Sequence, residues 1–367
     1  MKYILLFAAF HFVISSSAQD CNRELLVQTP GTFKPDAFYA GQDLKSEELA
    51  KHKKVVATIS NMIKSKYAPM GVEASYHENY GNSSSQWHPN LYSYSIIPLN
   101  YYCDKNKRAT EGETSTHFSI DVNEFEFEIY DTAQGDRLLL EGFNVMYDMP
   151  VKKDGYWYFK EKDVTLAFGL PGKTSAWLIT YDDKLPYSYV TKKEFLEKRK
   201  PALLIQMQES AAGFTEVLSR IEIEKKYKET EFKNDPEKLK KYMKMDYLPI
   251  KERYEKLLAD NAKEYKPAID KLDLQLKISG DELSKQAIVK SDPNDHLSYL
   301  FTDDNDPFGK ILIKPNPGYF NKKLAKSFPQ FIYISIIGNH KEPIAAKFMT
   351  DIMKAVDFAA LKDMLGK

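Results

Sequence analysis

The stretch Thr191 to Val289 constrains the fold more than any other. It opens on Thr191-Lys192-Lys193-Glu194, a capping box in which a hydroxyl caps a free backbone N–H and a carboxylate reaches back. Leu203, Met207, Phe214, Val217 and Ile221 then recur at helical spacing, with Ser210 interrupting. That rhythm puts them on one stripe of a helix. Asn234-Asp235-Pro236 is a second start signal, since Asp caps and Pro is tolerated at the first helical position. A second seam follows at Leu258, Ala262, Tyr265, Ile269, Leu272 and Leu276. The other faces are Lys and Glu and face water. Two seamed helices joined by the charged stretch 222–233 predict an antiparallel hairpin with a coiled-coil-like seam. Pro201, Pro249 and Pro267 each remove a helical hydrogen bond at a cost of about 3 kcal/mol in a helix interior. Breaks or kinks are expected there. Such a seam serves as ordinary core or as a docking face for a partner helix.

The chain is long enough for two domains. Basic and acidic residues number 52 each, so no net field recruits nucleic acid or anionic lipid. With 24 Tyr and 21 Phe, the composition suits a folded, sheet-rich protein. Residues 1–18 read as a signal peptide: Lys2, an apolar run from Tyr3 to Ile14, then Ser15-Ser16-Ser17-Ala18 at a cleavage site. The run is too short to span a bilayer as a stable helix, and no later segment is apolar enough to do so. The expected protein is exported, periplasmic or secreted, and begins at Gln19. The residues before Cys21 do not fit a lipidation site. In an oxidising compartment Cys21 and Cys103 are a disulfide candidate, with two buried free thiols as the alternative.

In chain order, Ser46 opens a helix that Pro69-Met70-Gly71 ends. Strand patterns follow at Val72 to Tyr80 and Leu91 to Cys103, with Pro98 suggesting an edge or a bulge. Phe118, Ile120 and Val122 alternate with His117, Ser119 and Asp121. Phe125, Phe127 and Ile129 alternate out of register with them, so a bulge or bend falls at Asn123-Glu124. Asp154-Gly155 is a hairpin turn, and Ala176 to Tyr181 a strand turned by Asp182-Asp183. Beyond the arm, Lys310 to Lys314 is a short strand. The run Phe331 to Ile337 is a central strand, and Pro343 to Val356 and Asp357 to Leu365 are helices. The expected class is α+β: an antiparallel sheet with packed helices, a long helical hairpin arm and a C-terminal strand-helix part. The expected division is 19–190 for the N-terminal α+β domain, 191–289 for the arm and 290–367 for the C-terminal part, which packs on the N-terminal domain or stands apart.

Little in the sequence carries chemistry. Gly169-Leu170-Pro171-Gly172-Lys173-Thr174 fails the phosphate-loop pattern, because Ala167 replaces the first Gly and a strand follows. Asp303-Asp304-Asn305-Asp306 is either a cation loop or an acidic turn; its spacing does not match an EF-hand. His52, His77, His88, His117, His296 and His340 lack zinc spacing, and no serine elbow or cysteine-nucleophile signature is present. Glu124, Glu126 and Glu128 share one strand face at about 7 Å spacing, as a solvated face does. No catalytic residue, metal or cofactor is expected. Tyr76, Tyr80, Trp87, Tyr92 and Tyr94 cluster with Tyr101 and Tyr102, and exposed aromatics stack on sugars or on a partner. Sheet packing is the alternative.

Asp183-Lys184-Leu185-Pro186-Tyr187 and Val190 to Leu196, with Pro317 to Leu324, Pro329 to Ile332, Asp357-Phe358 and Ala360-Leu361-Lys362 in the tail, resemble uncharacterised exported proteins of Bacteroidetes-type bacteria. The resemblance covers about a tenth of the chain. It implies an exported Gram-negative protein and brings no activity with it. The expectation is a non-enzymatic exported protein that binds another macromolecule, with a carbohydrate-binding or glycan-processing protein as the alternative. The partner is a protein or a glycan, with no nucleic acid and no transmembrane helix in the mature chain.

Overall fold

A computed structural model describes residues 21–40, 44–81, 89–125, 130–131, 143–146 and 148–367. Residues 1–18, expected to be a signal peptide, lie outside the described residues, as do Trp87, His88 and Phe127 with its neighbours Glu126, Glu128 and Ile129. The described chain is α+β, with mixed and antiparallel sheets and packed helices. No described helix is long and apolar enough to cross a membrane. Two compact units interleave in sequence. The first takes the described parts of Met1–Glu124, Lys152–Tyr181 and Lys322–Lys367; the second takes those of Phe125–Val151 and Asp182–Asn321.

The first unit is built on one sheet in the order Thr32–Ala40, Val72–Tyr80, Tyr92–Asp104, His117–Val122, Ile332–Gly338, Pro171–Ile179, Tyr156–Thr165 and Val151–Lys153. Lys107–Thr110 folds back on Tyr92–Asp104. The first pair is parallel and the next five are antiparallel. Strand alternation puts Phe118, Ile120 and Val122 on one face. Ile336, Ile334 and Ile332 stand opposite them on one side, and Ile96, Tyr94 and Tyr92 on the other. Helices Ser46–Lys66 and Pro343–Ala355 cover that face with Val56, Ile59 and Ile63, and with Ile344, Phe348 and Ile352. Burying such a side chain contributes roughly 1.5–3 kcal/mol, so this layer is the main core of the unit.

One reading changes here and another is refined. Ile332–Gly338 pairs on one edge with His117–Val122 and on the other with Pro171–Ile179. Residues 290–367 are therefore not one part, because 322–367 belongs to the first unit. Phe331, Ile332, Tyr333 and Ile334 are all buried, and a strand apolar on both faces needs an interior place. Pro98 lies on an interior strand, yet at a stretch of it that is paired on one side only, so the expected edge is local. It pairs with Ala74, but pairing on its other side ends at Ile96 opposite Phe118, so its missing N–H breaks no ladder there.

The bend at Asn123 has a local cause. Its φ is +63°, a left-handed conformation that Asn tolerates better than most residues. Its side-chain amide donates to the carbonyls of Asn90 (2.9 Å) and Phe328 (3.1 Å). Its amide oxygen accepts from Gln330 N (2.7 Å) and Phe331 N (3.3 Å). At Asp154-Gly155 both residues have positive φ, as the tightest hairpin turn requires.

The second unit has a sheet in the order Asp295–Phe301, Ile288–Asp292, Lys310–Pro315, Asn144–Met146 and Tyr130–Asp131, with Tyr187–Tyr189 also paired to Lys310–Pro315. Helix Lys192–Glu231 starts at the capping box: Thr191 Oγ1 accepts from Glu194 N (3.2 Å), and Glu194 Oε2 accepts from Thr191 N (2.9 Å). Asp235 caps Pro236–Tyr242. A π-helical turn, Met243–Tyr247, leads into the returning helix Leu248–Gln275. The long helices run antiparallel, matching Lys200 with Asp273, Met207 with Asn261, Phe214 with Tyr254 and Glu222 with Tyr247.

The arm departs from expectation in four ways. The helix passes through Pro201 and Pro267 without a break; one lost hydrogen bond is outweighed by seam packing on both sides. The charged stretch is helical to Glu231 rather than a link, since Lys and Glu are good helix formers. Pairs such as Lys225–Glu229 (3.8 Å) and Lys228–Glu231 (2.6 Å) add to it. Asn261, not Ala262, is buried in the seam, and its amide donates to Met207 O (2.8 Å). Finally, the arm does not stand alone. Phe195, Leu196 and Leu203 with Tyr265, Ala268 and Leu272 share a core with Val145, Leu297 and Leu312 of the sheet.

Candidate functional site

Exposed apolar side chains occur elsewhere in the second unit, at Ile205, Leu274 and Phe308, but at the distal end of the arm they accompany a polar clasp and an open groove. At the base of that end the π-helical turn brings Tyr247 into the seam, where its hydroxyl donates to Glu222 Oε1 (2.5 Å). Lys251 Nζ donates to the same oxygen (3.1 Å) and to the Tyr247 hydroxyl (3.3 Å). The Lys225 ammonium stands 5.1 Å from the centre of the Tyr247 ring. The Tyr247 hydroxyl, then the Lys251 ammonium, hold the Glu222 carboxyl below its ordinary range. This clasp closes the seam where apolar packing ends at Ile221. A π turn adds one residue to the helical repeat and shifts the face that follows it.

At and beyond the clasp, apolar side chains point to solvent: Ile223 is 69% exposed, Tyr227 65% and Met245 63%, with Leu248 and Ile250 also exposed. Ile223 and Tyr227 lie four apart on one helix face. An open groove of about 520 Å³ runs beside them, with Phe232, Tyr242 and Ile250 as its apolar wall and Lys228, Lys238 and Lys241 facing Glu224 and Asp246. Residues 222–251 hold nine lysines and seven carboxylates, too even a balance for a polyanion site. Scattered exposed apolar residues are ordinary on a surface, whereas a group of them marks a contact.

The residues singled out in the sequence fall elsewhere. Cys21 and Cys103 form a disulfide within the first unit. Tyr80, Tyr92 and Tyr94 are buried in the helix-covered core and Tyr76 packs against it, which corrects the reading of these four as a stacking platform. They share strand parity with Val72, Ala74 and Ile96, and that parity was the signal to be read. The Tyr92 hydroxyl donates to Ser327 O (3.0 Å) and the Tyr80 hydroxyl to Glu78 (2.8 Å). The Lys64 ammonium caps the Tyr76 ring at 3.5 Å.

The acidic loop is a structural turn. Asp306 accepts from Lys290 (2.5 Å), Thr302 (2.7 Å) and Phe308 N (2.9 Å), while Asp303 accepts from Asn305 N (2.9 Å). The Lys290 ammonium, then the Phe308 N–H, hold the Asp306 carboxyl down to about 2. Residues 167–169 make a hairpin turn into the strand Pro171–Ile179, with no helix to bind phosphate. No group of three metal-ligating side chains is assembled among the described residues. Glu124 lies at the bend after His117–Val122. The sequence reading missed the clasp and the π turn, because Glu222, Tyr247 and Lys251 meet only once the hairpin register is set.

Comparison with family models, with curated proteins and with solved structures finds no match.

Proposed function

We propose that this is an exported, non-enzymatic protein that binds another macromolecule through the distal end of its helical arm. The observation that carries the reading is the group of exposed apolar side chains at Ile223, Tyr227, Met245, Leu248 and Ile250, beside an open groove. A rigid helical hairpin anchored in a sheet core presents such a face with little ordering cost. Export is supported by the leader pattern of residues 1–18, by the Cys21–Cys103 disulfide and by the resemblance at 183–196 and 317–332. The glycan reading loses three of its five named aromatics, since Tyr80, Tyr92 and Tyr94 are core residues.

A photocrosslinking residue placed at Met245 in the producing cell tests the docking face, with Lys263 on the exposed shaft as the control. The expected result is one discrete macromolecular adduct from position 245 and none from 263. Equal or absent adducts overturn the reading. N-terminal sequencing of the protein from the cell envelope tests export, and retention of Met1 excludes cleavage.

A further inference from the structure

In the first unit, a cavity of about 240 Å³ is lined by Asn100, by Glu111 and Glu113 to Thr116, by the turn at Phe168, and by Asn339, Glu342 and Ala345. Three carboxylates line it: Glu111, Glu113 and Glu342. No lysine, arginine or histidine is among the described residues of its wall. Asn100 is 9% exposed, and its Oδ1 is buried with no hydrogen-bond donor. A buried amide oxygen is a strong acceptor, and leaving it unmet is costly. Its backbone carbonyl is already taken by Glu111 N (2.9 Å), so the side chain is the free acceptor of this residue. Glu342 caps helix Pro343–Ala355 by accepting from Ala345 N (2.6 Å) through Oε2. The positive end of that helix offsets part of the Glu342 charge and leaves the cavity acidic.

The rim is aromatic. Phe168 is 94% exposed with φ +60° and ψ +20°, a left-handed backbone that is strained for a bulky residue. The turn is held by Leu166 N donating to Leu170 O (2.8 Å) and Gly169 N to Leu166 O (3.2 Å). An aromatic face beside carboxylates suits a cation.

We propose that this cavity binds a primary ammonium carried on an aliphatic chain, such as a lysine side chain or a free alkylamine. An ammonium has three divergent donors, and acceptors here come from three separate segments: Asn100, Glu113 and Glu342. A guanidinium pairs best with one carboxylate in a planar fork, whereas the acceptors here diverge from three segments. Phe168 gives a π face at the mouth, and the small volume suits an alkyl chain rather than a ring system.

Calorimetric or NMR titration of the full chain tests this with cadaverine and with N-acetyl-lysine methylamide, using N-acetyl-norleucine methylamide as the uncharged control. The expected result is saturable binding of at least one amine, weakened by salt, and none of the control. Glu113→Gln with Glu342→Gln should weaken it at least tenfold, since glutamine keeps an acceptor for the helix cap. Phe168→Gly removes the ring at a position whose φ glycine adopts freely, so it keeps the fold and should weaken binding severalfold. A tenfold preference for either amine assigns the natural source to peptide or small molecule and supports the site. No saturable binding of either amine, equal binding of the control, or unchanged binding by a folded Phe168→Gly or Glu113→Gln protein overturns it.

Discussion

His52 stacks on Tyr92 with ring centroids 4.3 Å apart and planes 20° from parallel. Its imidazole is buried in the helix-covered core, and Asn90 Nδ2 lies 3.5 Å from its Nε2. Burial penalises the charged ring and depresses its pKa to about 4, with Glu48 pulling weakly the other way. The unfolded chain takes up this proton near pH 6.5 and the folded chain only near pH 4. Stability from the neutral ring is therefore fully present above about 6.5 and is lost as pH falls from there to about 4. The loss is on the order of 3 kcal/mol. Denaturant unfolding at pH 7 and pH 4.5 measures it. In His52→Phe this part of the pH dependence should disappear, and an unchanged slope would assign it to other groups.

Cys21 and Cys103 are separated by 82 residues. Closing a loop of that length restricts the unfolded chain by about 4–5 kcal/mol in the entropic account, with 2–4 kcal/mol more usual. Cys21→Ser with Cys103→Ser should lower the unfolding midpoint accordingly. Peptide mapping of unreduced protein should recover the two cysteines in one linked fragment.

Asn123 is a second test of a local feature with distant partners. Asn123→Gly keeps the positive φ but loses hydrogen bonds to Asn90, Phe328, Gln330 and Phe331. Asn123→Ala loses the same bonds and adds strain. Both should cost about 2–4 kcal/mol by thermal unfolding, with Ala the worse. Equal stability to the native protein would show that backbone pairing alone fixes the bend.

Local signals were the legible ones. The Thr191–Glu194 box, the Asp235-Pro236 start, the Asp154-Gly155 turn and the apolar run Phe331 to Ile337 each state their geometry within a few residues. Alternation at Phe118, Ile120 and Val122 showed a shared face. It did not show that Tyr92 and Tyr94 stand beside Ile120 and Val122 under two helices, because that follows from strand order. Interleaving of the two units was hidden for the same reason: nothing near Ile332 names His117–Val122 as its partner. The proposed docking face was half legible. The seam was read from spacing, but the phase of Leu248 and Ile250 on the returning helix follows the π turn at Met243–Tyr247, which no composition signal marks.

The arm supplies the last test. Leu272 is buried against both the partner helix and the sheet, so Leu272→Ala should cost about 2–5 kcal/mol. Lys263 is 78% exposed and pairs only within its own helix turn with Asp260 (2.9 Å) among the contacts described; Lys263→Ala should be neutral within about 0.5 kcal/mol. Lys271 looks equivalent by spacing but is not, because its ammonium reaches Asp292 at 2.6 Å. That ammonium, then the Asn294 N–H, holds the Asp292 carboxyl below its ordinary range. A depressed carboxyl stabilises the fold above its unfolded pKa of about 3.9 and ceases to as pH falls through the lower folded value. Lys271→Ala should therefore destabilise at pH 7, between the other two variants, and approach the native protein at pH 2. Thermal unfolding of the three variants at both pH values decides it. A neutral Leu272→Ala would mean that the shared core of arm and sheet does not hold the arm in place.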